Sequence, residues 1–180
     1  MNLEYIQPQS ACPQSHAISF SAALEIIDIA AVADICHGVG ARLIVDNVFA
    51  TPILQRPLDL GADIVMYSAT KHIDGQGRCL GGAILCNSEF REDLLTPFLR
   101  HTGPSMSPFN AWVLLKGLET LELRVEQHCR NATSVAAFLQ RKNGLSNVCF
   151  PGLDDYPQRA LAEAQMQGPG SIVTFEIDGG

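Results

Sequence analysis

Four polar side chains stand where they could act on one ligand: Asp46, Ser68, Thr70 and Lys71. Each follows a short apolar run. Arg42 to Val45 reads as a strand ending in the carboxylate of Asp46, and DIVMYS, from Asp63, reads as a buried strand ending in Ser68. Thr70 and Lys71 come directly after it, and Gly75, Gly77, Gly81 and Gly82 follow, where the backbone can approach another group closely. Taken singly, Lys71 is a surface lysine and Asp46 an ordinary strand-end carboxylate. Taken together, they are two strands ending in complementary groups ahead of a glycine-rich loop. In a parallel sheet the carboxyl ends of such strands face one crevice, where ligands of open α/β folds bind.

That set of groups suits pyridoxal 5'-phosphate. A lysine amine can form a Schiff base with its aldehyde, an aspartate can hold its ring nitrogen protonated, and neighbouring hydroxyls can meet its phosphate. The four residues also lie within longer motifs. VDNVFATP (45–52), GADIVMYSATKHIDGQGRCLGGA (61–83) and SPFNAWVLLKGLETLELRV (107–125) resemble the Cys/Met-metabolism, or trans-sulfuration, family of pyridoxal-phosphate enzymes. The likeness runs from about Leu24 to Gly180 and is strongest to the sulfhydrylase branch acting on O-succinylhomoserine. By position, the resemblance implies that Lys71 is the catalytic, cofactor-binding lysine and that Asp46 partners the pyridine nitrogen. It places Ser68 and Thr70 on the phosphate. Val48 stands where many relatives carry threonine, so no polar role is carried to it.

The resemblance further implies an α/β fold. Residues 24–117 would form part of an aspartate-aminotransferase-like (fold type I) large domain with a parallel-rich sheet. Residues 118–180 would supply a connecting helix and the start of an α+β C-terminal domain. The implied chemistry is γ-replacement on an O-acylhomoserine by sulfide, giving homocysteine for methionine biosynthesis, in a homo-oligomer (the family tetramer) when complete. The cystathionine γ-synthase and methionine γ-lyase activities of the family stay open, as do an inactive relative and an interaction fragment. Relatives carry the phosphate-cupping loop and the ring-stacking aromatic before Leu24, and the arginine that binds the substrate carboxylate after Gly180. The expectation is therefore an internal fragment, poorly soluble and catalytically silent when expressed alone.

Composition agrees with a buried globular core: 47% of the 180 residues are hydrophobic and 17% charged. A net charge of −7 argues against a nucleic-acid surface, which needs clustered Lys and Arg. Neither a signal peptide nor a membrane span is evident. Cys12, Cys36, Cys79, Cys86, Cys129 and Cys149 include no C-x-x-C pair, which points to scattered reduced thiols in a cytoplasmic protein rather than to a metal site or disulfide framework.

The elements that must position the four residues follow in order. Residues 1–23 are polar, carry Pro8 and Pro13, show no likeness to the family, and read as a loop or disordered tail. Ser21 stands where the family has a substrate-holding asparagine. Asp28 should cap a helix through Ile29, Val32, Ala33 and Cys36 that Gly38 and Gly40 end; His37 near its C-terminus suits the helix dipole better than catalysis. FATPILQRPLDLGA should make an irregular crossing or one helical turn. His72, beside Lys71, is expected to pack rather than to transfer protons. GGAILC is a third strand, and Ser88 should cap a helix that Pro97 breaks or kinks. From Pro108 to about Lys142 the spacing is helical, with a break near Gly117. SNVCF and SIVTFEI then read as strands flanking a helical ALAEAQMQ stretch.

Overall fold

The computed structural model describes residues 15–19 and 24–177. Its organising element is a four-stranded sheet in the order β1-β2-β3-β4, formed by Ser15–Ser19, Arg42–Asp46, Ile64–Ser68 and Gly82–Cys86. β1 and β3 both run parallel to β2, and β4 returns antiparallel to β3. The parallel-rich sheet expected of the large domain is present.

β1 corrects the sequence reading, which assigned residues 1–23 to a loop or disordered tail. Ser15–Ser19 pair in register with Arg42–Asp46. A five-residue strand of this kind is stabilised by the ladder it completes, a partner some 27 positions away that local composition does not reveal. The remainder of that tail, with Cys12 and Ser21, lies outside the described residues.

Helix α1 (Ile29–Gly38) crosses between β1 and β2 and begins as expected: the Asp28 side chain accepts from the Ala31 N–H. It packs on one face of the sheet. Ile29, Ala33 and Cys36 bury against Leu43, Val45, Val65 and Tyr67, the inward residues of the period-2 pattern. Beyond β2, α2 (Thr51–Leu54) and a 3-10 turn (Pro57–Leu60) lead to β3.

After β4 the helical segment starts one residue earlier than read. Asn87, not Ser88, is the cap, its side chain accepting from Phe90 N–H ahead of α3 (Ser88–Phe90). Pro97 does not end the helix. A wide π-turn (Arg91–Leu95) precedes it and the chain continues as α4 (Thr96–Thr102). The wider turn accommodates a ring that would otherwise press on the carbonyl four residues back.

Two longer helices follow, α5 (Pro108–Leu118), whose Leu114 joins the core under the sheet, and α6 (Leu121–Leu139), which packs on α2. They lead to a second, antiparallel pair, β5 (Leu145–Cys149) and β6 (Thr174–Ile177), flanking α7 (Arg159–Gln165). Ala132 and Ala136 of α6 pack with Phe150 and Leu153. The later segment also grips the entry to α1: Gln158 bonds both the N–H and the C=O of Ile26, and Gln165 donates to Ile27 O. No helix among the described residues is long and apolar enough to cross a membrane.

Candidate active site

Asp46 closes β2 in register with Met66 of β3, so it lies two positions short of Ser68 on the adjacent parallel strand. Side chains two apart share a face, and neighbouring strands stand about 4.8 Å apart. Asp46, Met66 and Ser68 therefore share one face with Ile84 of β4, which pairs with Met66. This is the face opposite α1, and it is open: Met66 is 41% and Ile84 47% exposed, against 1% for Val65 behind them.

Each strand exit is built differently. After Asp46 the chain turns at once, with Asp46 Oδ1 accepting from Val48 N–H at 3.1 Å. Asn47 points the other way, is buried, and its amide donates to Thr51 O, Gln55 O and Tyr67 Oη at 3.0–3.1 Å. Thr51 sits at φ 62°, a left-handed conformation unusual for a β-branched residue. Burial pushes the Tyr67 hydroxyl up, and the Asn47 bond acts against that rise.

The exit of β3 is a tight turn carrying Lys71. Ser68 O accepts from Lys71 N–H at 3.1 Å, and Lys71 O accepts from Gly75 N–H at 2.7 Å. Thr70 is tied across to the end of the glycine loop: its N–H and hydroxyl meet Gly81 O, and its Oγ1 accepts from Gly81 N–H at 3.0 Å. Lys71 itself is exposed, and no described residue bonds its ammonium.

Between them, the buried carboxylate of Asp74 accepts from the Arg78 N–H at 2.6 Å and the Arg78 guanidinium at 2.8 Å. Burial would raise its pKa, but these Arg78 bonds outweigh that and hold it below the usual carboxylate range. From the far side, Arg124 of α6 donates to His72 O, Ile73 O and Gly117 O at 2.7, 3.2 and 2.8 Å. Gly117 is not itself a helix break. A Cβ there would lie 2.1 Å from Ile73 O, so the residue is the bare surface on which the loop rests.

The structure thus brings Lys71, Asp46, Ser68 and Thr70 to neighbouring strand exits. His72 packs, as expected, its ring edge-on to His128 at 5.9 Å between centroids. His37 bonds Asp63 at 3.0 Å, remote from the four. Asn47, Asp74, Arg78 and Arg124 were not singled out from sequence. For Asn47 and Asp74 a signal existed, a polar residue inside an apolar or glycine-rich turn; for Arg124 none did. The described cysteines are free thiols, and no group of three metal-binding side chains occurs among the described residues.

The donor set fits pyridoxal phosphate. It offers an unbonded amine, a carboxylate with one oxygen left over, a strand-end hydroxyl, and an apolar floor of Met66 and Ile84 suited to a flat ring. Thr70 fits less freely, since its hydroxyl already braces Gly81.

Comparison with known proteins agrees. The profile of the family described as Cys/Met metabolism PLP-dependent enzyme matches residues 17–180, a start earlier than the Leu24 read from the sequence. An O-succinylhomoserine sulfhydrylase of Mycobacterium tuberculosis is 52% identical over 153 residues, 85% of this chain and 38% of that protein. An L-methionine gamma-lyase of Porphyromonas gingivalis is 45% identical, over 86% of this chain and 39% of its own length. The crystal structure of cystathionine gamma synthase from Xanthomonas oryzae pv. oryzae in complex with cystathionine superposes with a TM-score of 0.89 at 38% identity, over 93% of this chain and 44% of that one. The chain therefore spans about 38–39% of the length of these curated relatives.

Proposed function

Because the chain belongs to the Cys/Met-metabolism family of PLP-dependent enzymes, we propose that it carries the lysine-bearing side of a cofactor site that serves γ-replacement on O-succinylhomoserine by sulfide. One observation supports this above others: β2 and β3, adjacent and parallel, end in Asp46 and in the Ser68-Ala69-Thr70-Lys71 turn. The bound cofactor supplies an electron sink for charge developing next to the substrate amine. Lys71 Nζ would hold the cofactor aldehyde until substrate arrives. The freed amine would then take the substrate Cα proton, pass it to the cofactor, take a second from Cβ as succinate leaves Cγ, and return protons to Cβ and Cα once sulfide has added. Asp46, through the oxygen not committed to Val48, keeps a proton on the ring nitrogen. Ser68 Oγ would meet the phosphate, Thr70 Oγ1 would join it by releasing Gly81 O, and Met66 and Ile84 would supply apolar surface beside the ring.

Higher identity to the sulfhydrylase than to the lyase, 52% against 45%, favours replacement over elimination. Borohydride trapping of the cofactor, followed by peptide mapping, tests the lysine assignment. The label belongs on Lys71, and finding it on Lys116 or Lys142 contradicts the reading. The substrate is tested in the assembled holoenzyme with O-succinylhomoserine. Sulfide-dependent homocysteine supports replacement, whereas 2-oxobutyrate formed equally well without sulfide overturns it in favour of elimination.

A further inference from the structure

We propose that Arg124 is the positioning residue for Lys71, a role that rests on the cofactor reading above. It reaches the Lys71 turn from another element, 53 positions later in the chain, through the backbone and not through the ammonium. Its planar guanidinium grips the two carbonyls immediately after Lys71, His72 O and Ile73 O, and anchors them to Gly117 O on α5. Its Nε donates to Thr120 Oγ1 at 3.2 Å, which fixes the side chain against its own helix. A guanidinium offers a rigid fork of donors that an ammonium cannot reproduce.

Two glycines make room for this grip. Gly75 has φ 74°, and a Cβ there would fall 2.1 Å from Arg124 Nη1; the loop passes bare backbone beneath the guanidinium. Gly117 lets Ile73 O sit directly on α5. On the opposite flank the buried Asp74 carboxylate ties the loop to Arg78, and Asp74 N–H donates to Ala69 O at 2.8 Å. The backbone on the C-terminal side of Lys71 is thus fixed from both sides while its side chain stays exposed. A lysine held this way spends less freedom on reaching the cofactor aldehyde.

The test compares the assembled wild-type enzyme with its Arg124→Lys and Arg124→Gln variants by three measurements. The first is hydrogen exchange at the amides of Asp74, Gly75 and Arg78. The second is half-saturation for borohydride-trapped pyridoxal phosphate on Lys71. The third is the affinity for pyridoxamine 5'-phosphate, which has no aldehyde and so does not need the lysine. Exchange at these amides should rise about tenfold or more, and half-saturation by about tenfold, the scale of one hydrogen bond to a charged group. Pyridoxamine phosphate affinity should stay within about twofold. Arg124→Lys retains the charge and secures the test if Arg124→Gln does not fold. Unchanged exchange and trapping in Arg124→Lys overturn the proposal, as does equal weakening of both ligands, which marks a merely structural role. If the assembled wild-type enzyme traps no cofactor on Lys71, the cofactor reading fails instead, a result separate from any difference between variants.

Discussion

The two strand exits that flank the site are fastened in opposite ways. After β2, the chain is held mostly by near neighbours: Asn47 reaches carbonyls four and eight positions on as well as Tyr67 Oη on β3, and Asp46 bonds the N–H two positions on. After β3, the Lys71 turn is held from α5 and α6, by a guanidinium 51 and 52 positions away and by a glycine surface. The carboxylate exit thus leans on bonds within residues 46–55 and to Tyr67 of β3, and meets α6 only through the apolar contact of Leu54 with Leu121 and Val125. The lysine turn adds to its local bonds direct polar ties to α5 and α6, so loss of those ties should disturb Lys71 more than Asp46.

The largest effect should come from Asn47→Ala. Gln55 O and Tyr67 Oη would lose a buried donor, at about 1–3 kcal/mol per orphaned group. A denaturant melt should show a loss of about 3 kcal/mol, and hydrogen exchange should rise around residues 47–55. A loss confined to the 71–82 loop would invert the comparison.

Gly117→Ala comes next. The added methyl must push α5 off Ile73 O, an overpacking cost of about 1–3 kcal/mol. Exchange should rise at Asp74 and Gly75 while the 47–55 amides keep their protection. Equal loosening of both exits would show that they form one unit.

The smallest effect is a pH slope. Burial first, then His128 and Arg124, hold His72 below its ordinary value. The unfolded chain therefore takes up the proton at higher pH than the folded one, so stability is full above about pH 6.5 and declines as pH falls through the depressed folded value. His72→Phe should flatten the pH dependence of the melting temperature below about pH 6.5. The same slope in both proteins would assign it to another group.

The comparison also explains what could be read from the chain. Asp28 as cap, the β2 and β3 runs and the lysine turn were legible because cap, period and turn chemistry act within a few residues. So were the break between α5 and α6 near Gly117 and the strands flanking ALAEAQMQ. The β1 pairing was not, since a ladder partner cannot be inferred from five residues. Neither was the shift of cap from Ser88 to Asn87, two residues of nearly equal capping preference. Arg124 was invisible for a different reason. A charged residue on a long amphipathic helix reads as a solvated one, and only the folded chain puts His72 O and Ile73 O within its reach.

That Asp46 and Lys71 serve one bound molecule is tested most directly by the protonation of its ring nitrogen. Pyridoxal phosphate labelled with nitrogen-15 in the ring would be reduced onto Lys71 with borohydride and its nitrogen shift recorded in the wild-type chain and in Asp46→Ala. A protonated pyridinium signal in the first at neutral pH and a neutral pyridine signal in the second are the predicted result. Identical shifts in both, with the label on Lys71 in each, would place the ring away from Asp46 and contradict a shared site.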